Sequence, residues 1–399
     1  MKYNAIYGQS GGPTSVINSS LYGVIKQIQQ EDEIGTLFIM KNGIKGLIDN
    51  NIKDVNEIPN EQIELLPYTP SAIAGSIRYK LKNHTEDNTD YLKILETLKK
   101  NNIKYIFLNG GNDSMDTSLK LLSFLKTTDY DCKVIGIPKT IDNDLIITDH
   151  TPGYGSSAKF ITSAIKTITY DNNCYPKGRV NIVEIMGRDA GWLTASSALC
   201  KEDGPDLIYL PEVPFDLDKF LNDVKNVFDK KQRCLVAVSE GIRKENGDFI
   251  FTQNSKDAFA HHQLGGVGLY LSSLVEEKLG LSTRAIELSL LQRCYSPITS
   301  LVDVNEAIEC GRTAVKFALN NQNGVMVGMF RDDNYHISYQ PIELNKVANQ
   351  IKYMPKNMIN AEGNHITEDF INYALPLINE ENKVPYEKGL PMFADKKYF

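Results

Sequence analysis

The chain has 399 residues, and its 43 Lys and Arg against 50 Asp and Glu leave a net charge of −7. This mild acidic balance argues against a protein that binds nucleic acids or anionic membranes in general. Hydrophobic residues make up 42% and charged residues 23%, which is typical of a soluble globular protein. The length predicts two or three domains.

Cysteine usage and the first residues bear on the cellular compartment. None of the six cysteines forms a Cys-x-x-Cys pair, and no Cys/His cluster has the spacing of a zinc site. We interpret them as reduced thiols and expect a cytoplasmic protein. We expect neither a signal peptide nor a membrane span, because no apolar run is long enough to cross a bilayer.

Strand and helix patterns alternate along the first part of the chain. Short apolar runs that are bounded by glycine or polar residues predict strands, and apolar residues at helical spacing predict helices. The predicted strands cover 3–7, 36–40, 105–108 and 133–137, and the predicted helices cover 15–30, 91–100 and 115–125. The intervening segment 45–75 is less regular.

Two glycine-rich turns each connect a predicted strand to a predicted helix. The first is GQSGGPT at 8–14, which is neither a Walker A nor a G-x-G-x-x-G motif, and the second is GGNDS at 110–114. Glycines there let backbone N–H groups close on an anion, which the helix N-terminus also favours. Taken singly, such a turn fits a tight connection as well as a phosphate site; together, the two favour phosphate.

The stretch VIGIPKTIDND at 134–144 carries most of the chemistry. Its apolar start predicts a buried parallel strand, which Pro138 ends. The polar residues that follow are Lys139, Thr140, Asp142, Asn143 and Asp144. Ligands bind beyond the carboxyl ends of strands in open α/β sheets, and one lysine with two aspartates suits a site for phosphate, proton abstraction and Mg²⁺. A polar turn that caps the next element would use the same residue types.

The alternation continues through the second half of the chain. Strands are predicted at 180–185, 207–210, 234–238, 285–291 and 324–330, and helices after Gly191 through Cys200 and at 217–228, 258–279 and 304–319. This order predicts an α/β fold with doubly wound parallel sheets. Because the strands are too many for one comfortable sheet, we expect two such domains with the active site in the cleft between them.

Isolated charged residues also follow predicted strands. Arg188 closes a Met-Gly-Arg sequence, from which a guanidinium could hold phosphate or spread transition-state charge. Glu240 ends the strand at 234–238 and could accept hydrogen bonds from sugar hydroxyls. Further candidate cations are Arg78, Arg284 and Arg293. Each of these alone is more often a surface or helix-capping residue.

In this order along the chain, the motifs resemble those of phosphofructokinases of the bacterial type. The resemblance covers about residues 3–320. The motifs that carry it are Gly11-Gly12, Gly110-Gly111, Pro138-Lys-Thr-Ile-Asp-Asn-Asp144, Met186-Gly-Arg188, Glu240, Thr283-Arg-Ala285 and Gln292-Arg293. The residues at 113 and 139 resemble those of the pyrophosphate-dependent branch.

The resemblance implies a near-reversible, Mg²⁺-dependent transfer of a phosphoryl group from pyrophosphate to the C1 hydroxyl of fructose 6-phosphate. Asp142 would be the general base, Thr140 would help to hold the sugar and the moving group, and Lys139 and Arg188 would complete the catalytic set. Residues implied to bind fructose 6-phosphate are Met186, Gly187, Arg188, Glu240 and Arg293, together with Arg179 and Arg284 from a neighbouring subunit. The last two imply a homodimer or a homotetramer.

Donor choice has a physical argument beside the resemblance. ATP-using relatives carry Gly at both position 113 and position 139. Asp113 fills the space of a nucleotide α-phosphate with bulk and negative charge, whereas Lys139 supplies a point charge to pyrophosphate. The implied donor site also includes the backbone at Gly12 and the side chain of Arg78, and the implied ligands of Mg²⁺ are Asn112 and Asp144.

The resemblance also divides the chain. Residues 1–155 with roughly 290–340 are expected to form the pyrophosphate domain, and residues 156–289 the sugar-phosphate domain. The tail 341–399 is rich in Asn, Lys and Pro, and we expect it to pack on the surface.

Two positions depart from the family pattern. Asn112 stands where the family usually has an Asp that holds Mg²⁺, and an amide brings no charge. Leu290 stands where ATP-type relatives have a His, and it offers no hydrogen bond to a sugar phosphate, so we expect the grip on the sugar to differ from theirs at this position, and other sugar phosphates stay open as acceptors. These departures leave open an ATP-dependent 6-phosphofructokinase or a related sugar-phosphate kinase, and also a non-catalytic regulatory subunit.

Overall fold

The computed structural model describes residues 2–77, 79–252 and 264–399. The strands are β1 (Tyr3–Gln9), β2 (Ile34–Met40), β3 (Ile52–Asp54), β4 (Ile103–Gly110), β5 (Lys133–Pro138), β6 (Val180–Ile185), β7 (Leu207–Tyr209), β8 (Cys234–Ser239), β9 (Thr283–Glu287), β10 (Val325–Arg331), β11 (Ile337–Glu343), β12 (Tyr386–Glu387) and β13 (Leu390–Pro391).

The α-helices are α1 (Ile17–Ile28), α2 (Ile44–Ile48), α3 (Asn60–Glu64), α4 (Thr89–Lys100), α5 (Asn112–Leu125), α6 (Tyr154–Asn173), α7 (Trp192–Ala195), α8 (Leu217–Lys231), α9 (Val267–Leu279), α10 (Leu291–Cys294), α11 (Leu301–Leu319) and α12 (Glu368–Ala374). None of the helices in the described ranges combines the length and the apolarity that a membrane crossing requires.

The larger sheet has seven strands in the order β11-β10-β5-β4-β1-β2-β3. Its five inner strands pair in parallel, whereas β3 and β11 are antiparallel edge strands. A tight turn between β10 and β11 explains the second edge, because a short connection can join only antiparallel neighbours. The carboxyl ends of β1, β4 and β5 therefore lie side by side, which is where the predicted site should form.

The second sheet has four parallel strands in the order β7-β8-β6-β9. All six residues of β6 and of β8 are buried, as expected for central strands that are covered by helices on both faces. Separate apolar clusters surround the two sheets. The prediction of an α/β fold with two sheet-based domains is confirmed, and the antiparallel edges of the larger sheet are additional to it.

The predicted and observed bounds differ most at three elements. The strand expected at 285–291 is β9, which ends at Glu287. The helix expected through Cys200 is short, because α7 gives way to a 3₁₀ segment in which Lys201 has a φ of 53°. The pattern at 258–279 begins partly outside the described residues, and α9 starts only after Gly266, whose φ of 97° suits glycine.

Helices α1 and α11 cross in close contact, and glycines make this contact possible. A Cβ atom at Gly23 would lie 2.0 Å from the carbonyl oxygen of Ile308, and a Cβ at Gly311 would lie 2.2 Å from that of Ser20. Larger side chains would push the two backbones apart. Helix α1 follows the first glycine turn, so this crossing also fixes the position of that turn.

The C-terminal segment 341–399, which we expect to pack on the surface, is anchored by buried aromatic side chains. Phe370 and Phe399 are fully buried, at 0% exposure. Phe370 packs in the cluster of the second sheet, and Phe399 in a cluster of the first. These anchors could not be predicted, because aromatic residues spaced far apart among polar ones show no helical or strand periodicity.

Candidate active site

A cavity of about 360 Å³ opens at the carboxyl ends of β1, β4 and β5. Its lining residues are Gly11, Gly12, Gly111, Asn112, Asp113, Ser114, Lys139, Thr140, Asp142, Asp144, Asp189, Asn349 and Ile351. Both predicted glycine turns and the central loop thus converge on one space, because the parallel sheet brings the ends of its strands to one edge.

The second glycine turn leads directly into α5, whose first residue is Asn112. The N-terminus of this helix of 14 residues therefore borders the cavity. Free backbone N–H groups and the helix dipole favour an anion at such a position. Asp113 lies in the first turn of α5 and brings a negative charge to the same wall.

Lys139 connects the central loop to the first glycine turn. Its Nζ donates a 2.7 Å hydrogen bond to the carbonyl oxygen of Gly12, and the side chain is almost completely buried. Burial lowers the pKa of Lys139 to about 8, although Asp142 and Asp144 act in the opposite direction. The ammonium group is therefore held at the cavity as a cation whose charge is sensitive to mildly alkaline pH.

Asp142 and Asp144 are two carboxylates of the same loop that face one cavity. Burial raises the pKa of Asp142, whereas Arg293 and Lys139 oppose the rise. Burial and the charge of Asp142 raise the pKa of Asp144 to about 7. Thr140 contacts Asp142 twice, because its Oγ1 accepts from the Asp142 backbone N at 3.1 Å and lies 3.5 Å from Oδ2.

The residues at this pair of carboxylates fit a Mg²⁺ ion. Asn112 Nδ2 donates to Asp144 Oδ2 at 3.3 Å, and Asn112 Oδ1 is buried with no hydrogen-bond partner among the described residues. Carboxylate and amide oxygens are ligands that Mg²⁺ accepts. The described part of the chain has no cluster of three or more His, Cys, Asp or Glu with metal-site geometry, so substrate phosphates and water would have to supply the other ligands.

The predicted sugar-binding residues approach from the second sheet. Glu240 accepts a 3.4 Å hydrogen bond from the backbone N of Gly187. Burial raises the pKa of Glu240 to about 7, and both Asp142 and Arg188 are close enough to influence it. The backbone N of Met186 donates to Gln292 Oε1 at 3.1 Å. These contacts hold the Met-Gly-Arg loop, Glu240 and the α10 region together. Asp189, which follows that loop, lines the cavity, whereas the lining does not include Met186, Gly187, Arg188, Glu240 or Arg293.

Two of the predicted arginines, Arg179 and Arg284, lie away from this chain's own cavity. Arg179 precedes β6 and Arg284 pairs with Asn181 near the start of that strand, so both lie at the end opposite to Met186. Six residues of strand span roughly 20 Å. Arg78 lies outside the described residues.

Sequence reasoning missed Asp189, Asn349 and Ile351, which also line the cavity. Asp189 forms an ion pair with Arg243, and its place directly after Arg188 could have marked it. Asn349 donates to Asp116 Oδ1 at 3.0 Å. Neither Asn349 nor Ile351 carries a motif signal, since both come from the segment that was expected to remain on the surface.

Comparisons with known proteins agree with this geometry. The phosphofructokinase family model matches residues 4–318. A pyrophosphate–fructose 6-phosphate 1-phosphotransferase from Halomonas elongata is 38% identical over 98% of this chain and 96% of that protein. A sulfofructose kinase from Alkalicoccus urumqiensis is 36% identical over 86% of this chain and 87% of that protein.

Solved structures lead to the same result. A pyrophosphate-dependent phosphofructokinase from Nitrosospira multiformis has a TM-score of 0.90 at 37% identity, and the match covers 98% of this chain and 96% of that one. The family resemblance of the sequence motifs is thereby confirmed. This chain belongs to the phosphofructokinase family.

Proposed function

We propose that this protein transfers a phosphoryl group from pyrophosphate to the C1 hydroxyl of fructose 6-phosphate, giving fructose 1,6-bisphosphate and phosphate. The observation that carries the proposal is the buried Lys139, which is bonded to Gly12 in the same cavity as Asp142 and Asp144. The names of full-length relatives support the same donor and acceptor.

The donor binds at the side of the cavity that is lined by the two glycine turns and Lys139. Inorganic pyrophosphate accepts hydrogen bonds from the backbone at Gly12 and from the N-terminus of α5, and Lys139 neutralises part of its charge. Asp113 stands in the first turn of the same helix, where its carboxylate repels the additional phosphate of a nucleotide. Arg78 is a further candidate ligand of the donor.

The acceptor hydroxyl reacts at Asp142. The carboxylate takes the C1 hydroxyl proton, the C1 oxygen bonds to the attacked phosphorus, and the bond from that phosphorus to the bridging oxygen breaks. The leaving group is inorganic phosphate, whose developing charge Lys139 and Arg188 stabilise. Thr140 orients Asp142 through the contacts of its hydroxyl. A raised pKa makes Asp142 a better base than an exposed aspartate.

Asp144 and Asn112 would hold Mg²⁺, with Asp142 nearby. The chemistry that a bound Mg²⁺ would supply there is neutralisation of phosphate negative charge. Asn112 Oδ1, which has no hydrogen-bond partner in the part of the chain that the structure describes, supports this assignment.

Fructose 6-phosphate binds between the two sheets. Met186, Gly187 and Arg188 line its pocket, Glu240 accepts from sugar hydroxyls, and Arg293 meets the 6-phosphate. Arg179 and Arg284 serve the pocket of a neighbouring subunit, in a cytoplasmic homodimer or homotetramer. The pyrophosphate domain comprises 1–155 and about 290–340, whereas 156–289 forms the sugar-phosphate domain. The membership of the strands in the two sheets supports this division.

A second candidate keeps the reaction and changes the acceptor. Leu290 is 61% exposed and offers no hydrogen bond to a sugar phosphate, and one similar relative is named sulfofructose kinase. A different anionic sugar is therefore the alternative to fructose 6-phosphate. The cations and carboxylates gathered at the cavity speak against a non-catalytic subunit.

The deciding experiment compares donors with purified protein at saturating fructose 6-phosphate and titrated Mg²⁺. We expect formation of fructose 1,6-bisphosphate from pyrophosphate and no turnover with ATP. Activity with ATP alone would refute the proposed donor, and a panel of anionic ketose substrates separates the acceptors. As a matched variant, Asp113→Gly combined with Lys139→Gly should loosen donor choice.

A further inference from the structure

Asn143 occupies an unusual position in the central loop. It lies between Asp142 and Asp144, has a φ of 55°, and is 0% exposed. Residues other than glycine rarely adopt this left-handed conformation, and a buried one persists where its surroundings enforce it. The conformation decides how the two neighbouring carboxylates point, because it sets the direction of the chain between them.

Both ends of the Asn143 amide are held by the C-terminal segment. Its Nδ2 donates to Tyr373 Oη at 2.9 Å, and its Oδ1 accepts from Lys352 Nζ at 3.3 Å. Tyr373 Oη in turn donates to the carbonyl oxygen of Asp149 at 2.8 Å. Side chains more than 200 positions away therefore determine the orientation of this one amide.

Lys352 makes further contacts with the same loop. Its backbone N donates to the carbonyl oxygen of Asp144 at 2.8 Å. Its Nζ donates to the carbonyl oxygens of Thr148 at 3.3 Å and of Asp149 at 2.9 Å. The lysine thus spans the whole loop that follows β5, from the carboxylates to its far end.

Lys352 is itself fixed from the second sheet. Trp192 Nε1 donates to the Lys352 carbonyl oxygen at 2.9 Å, and the indole ring lies 5.2 Å from Lys352 Nζ. Nearby, Glu212 accepts from the backbone N of Gly191 at 2.9 Å and from that of Met354 at 3.0 Å. Lys352 is absent from the lining of the cavity, so it acts through the loop and not on the substrates.

We propose that Lys352 is a positioning residue, which with Tyr373 holds Asn143 in its left-handed conformation and so keeps the carboxylates of Asp142 and Asp144 aimed at one cavity. This inference rests on the proposed function for its kinetic consequence. It assigns to the C-terminal segment a part in organising the reaction site, in addition to its packing.

The first test is Lys352→Met, which removes the charged donor and keeps the length of the side chain. We expect kcat with pyrophosphate to fall about 10- to 100-fold, with the KM for fructose 6-phosphate changed by less than about two-fold. The matched control is Lys356→Met, an exposed lysine of the same segment, which should leave both constants unchanged. Unchanged kcat in a folded Lys352→Met protein would overturn the inference.

A double-mutant cycle tests whether Lys352 acts through Asn143. Asn143→Gly removes the amide and still permits a positive φ. If the inference holds, the double variant has about the kcat of the slower single variant. Independent losses that multiply would overturn it. If Lys352→Met does not fold, Tyr373→Phe serves as the test in its place. We expect its kcat to fall about 3- to 10-fold, and an unchanged kcat would overturn the inference.

A measurement without turnover separates this inference from the proposed function. Amide hydrogen exchange of residues 140–149 should accelerate in Lys352→Met and Tyr373→Phe and remain unchanged in Lys356→Met. Equal protection in all variants would overturn the inference even in an active enzyme. Wild-type protein that turns over no donor would refute the proposed function, while the exchange data would still decide how the loop is held.

Discussion

Lys139 donates a hydrogen bond of 2.7 Å from its Nζ to the carbonyl oxygen of Gly12, which lies 127 residues earlier in the chain. The bond joins the loop after β5 to the turn after β1. The bond also holds the ammonium group close to Gly11. A Cβ atom at Gly11 would lie only 3.1 Å from Lys139 Nζ, so a larger residue there would crowd the ammonium group. One side chain therefore shapes the glycine turn and supplies the positive charge of the cavity.

Lys139→Met should reduce kcat/KM for pyrophosphate by about 10²- to 10³-fold, because it removes the cation that stabilises the leaving phosphate. Steady-state kinetics with pyrophosphate as the varied substrate measure this effect. Lys133→Met is the matched control, since Lys133 lies at the other end of β5 and pairs with Asp131 at 3.6 Å. Equal losses in both variants would argue against a role in donor binding.

The pKa of Lys139 predicts an alkaline limit to the activity. Burial lowers this pKa from 10.5 to about 8, so the free enzyme loses the cation as the pH rises above about 8. We expect log kcat/KM for pyrophosphate to decline there with a slope approaching one proton. In Lys139→Arg the charge persists, so the decline should move to higher pH; a decline at the same pH would assign it to another group.

Asp142→Asn should lower kcat by about 10²- to 10⁴-fold, because the amide cannot take the proton from the C1 hydroxyl. Binding of fructose 6-phosphate, followed by calorimetry, should be retained, since the amide keeps the shape of the carboxylate. Asp218→Asn, on the surface turn that begins α8, is the control. Loss of sugar binding together with kcat would indicate a binding role for Asp142 in place of the base.

Asn112→Asp should increase the affinity for Mg²⁺. The unpartnered Oδ1 of Asn112 and the carboxylate of Asp144 lie on the same wall, and a second charge there attracts a hard cation more strongly. Without metal, the added carboxylate should destabilise the protein by repulsion. Thermal unfolding with EDTA and with increasing Mg²⁺ measures both effects; the same Mg²⁺ dependence as wild type would place the ion elsewhere.

Much of the candidate site could be predicted from local sequence. Lys139, Thr140, Asp142 and Asp144 follow a strongly apolar run, and a parallel sheet necessarily brings the residues beyond such strands to one edge. The strand at 180–185 was predicted with its observed bounds for the same reason, since all six of its residues are buried.

The part of the cavity lining that Asn349 and Ile351 form could not be predicted in this way. Asn349 and Ile351 reach it only because Lys352 and Met354 bond to distant partners, among them Asp144 and Glu212. Such pairings depend on the folded arrangement of both sheets and leave no periodic trace in a single sequence. The left-handed conformation of Asn143 could not be predicted from the sequence for the same reason.

The buried His150 predicts a pH-dependent contribution to stability. Its Nδ1 contacts Asp149 Oδ1 at 2.7 Å, and its Nε2 contacts Glu306 Oε2 at 2.7 Å. Burial alone would lower the pKa of His150, but Glu306 and Asp149 raise it from 6.5 to about 9. Because the pKa of His150 is higher in the folded protein than in the unfolded chain, the protonated imidazole stabilises the fold fully below pH 6.5. This stabilisation is lost as the pH rises through about 9.

His150→Gln isolates this contribution from that of Lys139 and Lys352, whose pKa values are lowered to about 8 and whose effect on stability has the opposite sign. The difference in unfolding free energy between wild type and variant should shrink by about 3 kcal/mol from pH 6 to pH 9.5. Denaturant unfolding across this range measures it. His336→Gln is the control, because His336 is largely exposed. A difference that stays constant with pH for His150→Gln would mean that folding does not raise the pKa of this imidazole.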